Sequence, residues 1–154
     1  MAYSIRVATH ADHTSLAEVI ARLDALDETT IPQHLRQPRL DLTLLALIID
    51  PDAGTIFIAE EEGEMIGFVV ASIYHAPGSL QPRATINALA VDTTHQQVGL
   101  GRVLMARVHR WARDRGAARV ELRAPETAGA ATFYESLGYI PMGPRRMVRF
   151  LEPR

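Results

Sequence analysis

The stretch Ala88-Leu-Ala-Val-Asp-Thr-Thr-His-Gln-Gln-Val-Gly-Leu-Gly-Arg102 decides how this chain is read. It runs as an apolar strand, a short polar turn, a pair of glycines and the start of an amphipathic helix. A helix start carries unpaired backbone N–H groups and the positive end of the helix dipole, so it attracts anions. Gly99 and Gly101 remove side chains where a phosphate would approach the main chain. The stretch therefore points to a phosphate-bearing cofactor held mainly by backbone.

The rest of the composition bounds that reading. A chain of 154 residues, 47% hydrophobic and 22% charged, suits one globular domain with a real core, here residues 1–154. A net charge of −2 argues against bulk attraction to nucleic acid or to an anionic membrane. With no cysteine, disulfides, thiolate metal sites and a cysteine nucleophile are excluded. Met1-Ala-Tyr-Ser-Ile-Arg6 has no apolar leader core and no apolar run approaches membrane-spanning length, so a cytoplasmic protein is expected. The six histidines, His10, His13, His34, His75, His95 and His109, show no metal-ligand spacing, and no metal is expected. There is no GxSxG and no lysine-bearing P-loop.

Periodicity supplies the elements. Tyr3–Ala8 alternates like a strand; a helix starts near Ala11-Asp-His-Thr-Ser15, with Leu16, Val19, Ile20, Leu23 and Leu26 at helical spacing. Asp27–Arg39 reads as a loop or broken helix, and Leu40–Ile49 as a second helix ended by Asp50-Pro-Asp-Ala-Gly54. Thr55–Glu60 and Met65–His75 suggest an antiparallel hairpin, and Arg83–Val91 the next strand. A helix over Gly99–Arg115 presents Leu100, Leu104, Val108 and Trp111 on one face with Val103 beside them, and Arg107, Arg110 and Arg113 toward solvent. Arg119–Arg123 is a strand, Thr127–Leu137 a short helix, and Tyr139–Met142 and Arg146–Leu151 are final strands. The expected class is α/β (α+β): a mixed, mostly antiparallel twisted sheet flanked by helices, in the order β-α-α-β-β-β-α-β-α-β-β.

Two motifs then carry a resemblance. Gln96-x-x-Gly99-x-Gly101, after a strand ending Leu89-Ala-Val91, is similar to the acyl-CoA-binding turn of the GNAT superfamily of N-acetyltransferases. Thr127-Ala-Gly-Ala130-Ala-Thr-Phe-Tyr134-Glu-Ser-Leu-Gly-Tyr139 resembles that family's short helix, commonly Asn-x-x-Ala-x-x-x-Tyr-x-x-x-Gly-Phe. The element order fits as well, so the resemblance covers nearly the whole chain. It implies acetyl-CoA as cofactor and transfer of the acetyl group to a primary amine by direct attack through a tetrahedral intermediate.

The resemblance also assigns roles. N–H groups of Val98, Gly99, Leu100, Gly101 and Arg102 would wrap the pyrophosphate, with Gln96 and Gln97 in the same turn. Leu89, Ala90 and Val91 would splay from the neighbouring strand and pair with the pantetheine amides. Arg102 sits in a first helical turn, where a cation opposes the dipole, and a phosphate would resolve that conflict. Many family members carry Arg or Lys within the turn, whereas this chain has Gln96-Gln97-Val98, so binding leans on main chain. Thr127 stands where Asn is usual and would cap the helix or bind a pantetheine amide; Ala130 leaves room for the cofactor arm, and Phe133 lies beside it.

Tyr134 matches the tyrosine that protonates the departing thiolate, although Phe133, Tyr134 and Leu137 also read as one apolar helix face. The general base stays open. Some members place a Glu before the glycine turn, but Thr85-Ile-Asn87-Ala-Leu89 has no acid, leaving an Asn87-held water, His75, Glu60 or Glu121. His95, beside the turn, reads as an exposed loop histidine or else a phosphate contact, and Arg145, Arg146 and Arg149 as strand-edge charges or contacts to an acidic substrate or partner. Substrate choice falls to Asp27–Arg39 and His75–Pro82, where Asp27 and Glu28 would receive an amine and Arg36 and Arg39 a carboxylate. A small-molecule amine is the expected acceptor, a protein N-terminus or lysine the second, and a homodimer through the final strands is plausible. A different class, a non-catalytic acyl-CoA-binding or regulatory module, also fits a chain without an evident base.

Overall fold

A hairpin apolar on both faces anchors the architecture. In the computed structural model, which describes residues 3–26 (backbone only over 20–26), 45–92, 94–95, 99–125 and 129–152, β2 spans Gly54–Glu61 and β3 spans Glu64–Tyr74. Alternate residues point to opposite faces of a strand. Accordingly Phe57, Ala59, Val69 and Ala71 join one core cluster, and Ile56, Ile58, Phe68 and Val70 join another. A sheet buried on both sides needs helices on both sides.

The other elements supply them. β1 (Ser4–Val7) leads through a 3-10 turn at His10–Asp12 into α1 (His13–Leu26), and residues 45–49 are helical (α2). Leu16 and Ala17 of α1 and Leu47 of α2 cover the Ile56, Ile58, Phe68 and Val70 face. β4 (Arg83–Val91) is followed by α3 (Leu100–Asp114), β5 (Arg119–Arg123), α4 (Ala130–Ser136), β6 (Ile140–Pro141) and β7 (Arg146–Phe150). Leu100, Leu104, Met105, Val108, Trp111 and Ala112 of α3 pack on the opposite face, with Val120 and Leu122 of β5. Among the described residues the sheet has seven strands in the order β1-β2-β3-β4-β5-β7-β6. All pairs are antiparallel except β4 with β5, which the α3 crossover makes parallel.

The expected class and order agree with this structure, and the differences are local. The short helix begins at Ala130, not Thr127, which lies outside the described residues. The strand expected over Tyr139–Met142 shrinks to Ile140–Pro141, because only those two residues pair with β7. Asp27–Arg39 and the start of the expected second helix lie outside the described residues. The α3 face is wider than the four-residue stripe: Met105, His109 and Ala112 are buried as well. No helix among the described residues is long and apolar enough to cross a membrane.

Two polar features lock the first strand. Arg6 on β1 forms a bidentate pair with Asp12 at 2.7 and 2.8 Å and also binds Glu60 on β2. Hydrogen bonding by Arg6 holds the Asp12 carboxyl down at about 2. Gly54, at the start of β2, leaves no room for a side chain. A Cβ there would lie 2.3 Å from Leu47 Cδ2 and 2.5 Å from the Ala71 carbonyl oxygen. Gly54→Ala is therefore expected to destabilise the fold by about 1–3 kcal/mol, as overpacking does. The check is a lower urea midpoint with an unchanged m value; an unaltered midpoint contradicts it.

Candidate active site

The cleft begins where the sheet comes apart. β4 and β5 pair only through Ala84↔Val120 and Thr85↔Glu121, after which no further rung joins them. On its other side β4 stays bonded to β3 as far as Gly67↔Val91. One edge of residues 86–90 is thus left without a strand partner among the described residues. A bulge helps to open it: Val70 pairs with Ala88 and Ala71 with Ile86, so Asn87 is the extra residue on β4. Asn87 is exposed, and its Oδ1 accepts a hydrogen bond from the Ser72 hydroxyl at 2.9 Å.

Leu89 and Ala90 are half-buried along this unpaired edge, and Val91, also half-buried, ends the strand. Beyond them α3 opens at Gly99, whose φ of 79° is left-handed and which contributes no side-chain cap. A Cβ at Gly99 would meet nothing within 4 Å among the described residues, and the backbone angle favours glycine there. Gly101 differs. Its missing side chain admits the Phe133 ring, whose Cζ would lie 3.2 Å from a Cβ, with Val91 Cγ2 at 3.9 Å. The first bond into the helix runs from Val103 N–H to the Gly99 carbonyl, so the N–H groups of Leu100, Gly101 and Arg102 have no partner within it. Arg102 is exposed and donates from Nη2 to Ser136 Oγ at 2.7 Å, while Ser136 Oγ donates to the Phe133 carbonyl at 2.5 Å. This hydroxyl ties α3 to α4. Gln96, Gln97, Val98 and Thr127 lie outside the described residues, and Ala130 is half-buried in the first turn of α4.

Tyr134 sits at the foot of the cleft. It is buried in the cluster that includes Ile86 of β4 and Leu122 and Ala124 at the end of β5. Its ring meets Phe133 and Tyr139 edge to face, at centroid distances of 5.1 and 5.8 Å. Burial pushes its phenol above the ordinary value, so the hydroxyl stays protonated.

Behind it lies a buried group that sequence periodicity had not revealed. Arg149 Nη1 donates to His109 Nδ1 at 2.8 Å, which leaves His109 Nε2–H to donate to Tyr139 Oη at 2.8 Å. The arginine thereby dictates a neutral imidazole with its proton on Nε2. Burial, reinforced by Arg149 and Arg113, lowers the His109 pKa to about 4. Arg113 is not the solvated charge expected from the helical wheel: it is half-buried and its Nε is enclosed. A histidine four residues after Met105 and three before Ala112 was the available signal.

The base candidates separate by environment. Glu60 is bound by Arg6. His75 is exposed just past the end of β3. Glu121 is 9% exposed, and its oxygens meet Tyr74 Oη at 3.0 Å, Arg119 Nε at 2.8 Å and Arg146 Nη2 at 3.0 Å. Burial alone would raise its pKa, but the Tyr74 hydrogen bond and the two arginines together hold it below the ordinary value. His95 is not an exposed loop residue; it is buried, with Nε2 2.8 Å from Glu61 Oε2 and Nδ1 2.9 Å from Thr94 Oγ1. No group of three or more metal-ligating side chains gathers among the described residues.

Comparison with known proteins gives one consistent picture. A family model described as acetyltransferase (GNAT) family matches residues 20–139. A mycothiol acetyltransferase of Acidothermus cellulolyticus is 34% identical over 101 residues, covering 58% of this chain and 30% of that protein. The chain spans less than half the length of the curated relatives it matches. In fold it is similar to the PaiA N-acetyltransferase of Thermoplasma acidophilum solved in complex with coenzyme A, with a TM-score of 0.76 and 16% identity over 97% of this chain and 99% of that one. A putative acetyl transferase from Pyrococcus furiosus superposes with a TM-score of 0.74 at 21% identity, covering 92% of this chain and 95% of that one.

Because folded His109 binds protons more weakly than an unfolded histidine near 6.5, the unfolded state holds more protons between those values and about 4. Its stabilising contribution is fully present above about pH 6.5 and is lost as pH falls toward 4. Urea unfolding at pH 7, 6 and 5 should show this decline, and His109→Asn should flatten it. An equal slope in both proteins contradicts the assignment.

Proposed function

The chain belongs to the acetyltransferase (GNAT) family, and on that premise we propose that it transfers an acetyl group from acetyl-CoA to the primary amine of a small molecule by direct attack. The observation that carries this reading is the unpaired edge of β4, beside a buried Tyr134 whose hydroxyl has no hydrogen-bond partner among the described residues. The residues present fit the cofactor. Gly99 is left-handed with no side chain of the described residues near it, the first N–H groups of α3 lack helical partners, and residues 86–90 have no strand partner among the described residues on the edge where amides would pair.

The pyrophosphate is assigned to the N–H groups of Gly99, Leu100, Gly101 and Arg102, together with Gln96, Gln97 and Val98. Leu89, Ala90 and Val91 receive the pantetheine arm, and Thr127, Ala130 and Phe133 line its other side. Arg102 carries a charge shared only with the neutral Ser136 hydroxyl among the described residues, which leaves it able to face a phosphate. Bound acetyl-CoA supplies a thioester whose sulfur departs as the amine attacks.

The chain's own groups handle the protons. Tyr134 keeps its proton on Oη because burial disfavours the phenolate, and it gives that proton up where a thiolate forms. Glu121, bound by two arginines and a tyrosine, is given no proton-transfer role. Asn87, at the bulge with Oδ1 already taken by Ser72, holds a water through its amide N–H groups, and that water carries the ammonium proton to solvent.

Calorimetric titration with acetyl-CoA tests the cofactor, and no binding to folded protein would reject it. An amine panel monitored by thiol release tests the reaction. Tyr134→Phe is expected to lower kcat about 100-fold or more with acetyl-CoA affinity unchanged. Unchanged kcat across pH would remove the acid role. Binding without turnover on any amine would instead describe an acyl-CoA-binding module.

A further inference from the structure

The sheet face turned away from α3 is basic along β4, β5 and β7, in a chain whose net charge is −2. Residues opposite each other on paired strands share a face, as do alternate residues of one strand. The pairs Tyr74↔Arg83, Thr85↔Glu121 and Arg123↔Arg146 therefore set Arg83, Arg119, Arg123 and Arg146 on one face with a single carboxylate, Glu121. That carboxylate is already shared between Arg119 and Arg146.

Arg123 is left over. It is exposed, stands directly across from Arg146, and meets no carboxylate among the described residues. Like charges directly opposite each other destabilise a sheet. The backbone nevertheless maintains the pair at a cost. Arg145, the residue before Arg146, has a φ of 64°, a left-handed conformation that costs a non-glycine residue about 1–2 kcal/mol. The Ala124 N–H bond to the Arg145 carbonyl, 2.7 Å long, holds that turn against the end of β5. The location matters too: Arg123 lies two residues beyond Glu121, the last β5 residue paired with β4, so it stands where the strands have parted.

We propose that Arg123 and Arg146 form a subsite for a carboxylate carried by the acceptor, which is then a small amine bearing an acid group. The inference rests on the acetyl-transfer reading for the amine end alone. Two guanidinium groups offer paired N–H donors that match a carboxylate, and an anion between them turns a repulsive pair into an attractive one. Glu121 acts as a positioning residue, holding Arg146 by one nitrogen while the Arg146 side chain stays 47% exposed.

The test uses N-acetyl amino acids and their carboxamides, titrated calorimetrically into the full chain with coenzyme A at low salt. The carboxylate of each pair is expected to bind about tenfold tighter than its amide, the preference fading with added salt and near parity in Arg123→Gln. Arg123→Lys, which keeps the charge without the fork, should retain part of it. The Arg123→Gln protein should match or exceed the native urea midpoint, since that side chain is exposed and its charge opposed. Equal binding of the two members, including no binding of either, overturns the subsite, as does a preference that survives Arg123→Gln. A carboxylate preference with no turnover on any amine would sink the acetyl-transfer reading and leave the subsite standing.

Discussion

Backbone hydrogen bonding between β4 and β5 stops after Thr85 and Glu121, and the polar groups left without a strand partner on one edge of residues 86–90 constrain everything around them. An unpaired strand edge inside a sheet is costly unless something bonds to it. The surroundings keep this edge open. β3 stays paired along the other side of β4, and the Asn87 bulge increases the local twist. α3 and α4 bracket the opening at one face, while the arginines of β5 and β7 border it at the other.

The groups beneath the opening are arranged for rigidity. Gly101 lets Phe133 press against α3, and the Arg102 bond to Ser136 draws the same two helices together. Tyr139, which packs edge to face on Tyr134, is itself fixed by His109, and His109 by Arg149. Charge is thus kept two residues removed from the Tyr134 phenol. The arginine polarises a neutral imidazole, which donates to a second tyrosine, and burial keeps both tyrosines protonated.

Much of this was legible in the sequence because it depends on short-range patterns. Runs of β-branched and apolar residues identified β2, β3 and β4, and the apolar stripe from Leu100 to Trp111 identified α3. The two glycines were visible, but not their different reasons: Gly99 answers a backbone angle, while Gly101 answers a ring 32 residues away in sequence. Contacts of long sequence separation account for the other differences. His95 looked exposed because its partner, Glu61, lies at the end of β2, 34 positions earlier. His109 carried no assigned role because its partner, Arg149, arrives from the last strand, 40 positions later. Strand parting itself leaves no local mark, since Leu89-Ala-Val91 would read the same if β5 stayed bonded to it.

The Asn87 bulge also divides β4 into two parities. Before it, the even-numbered Ala84 and Ile86 face α3; after it, the odd-numbered Leu89 and Val91 do, while Ala88 and Ala90 turn to the α1 side. An alternating strand with one residue inserted has no continuous inside and outside. The length of β4, more than the identity of any side chain on it, therefore decides which atoms border the cleft. A chain shortened by one residue at this point would keep its composition almost intact and present the wrong face of the strand to its ligand.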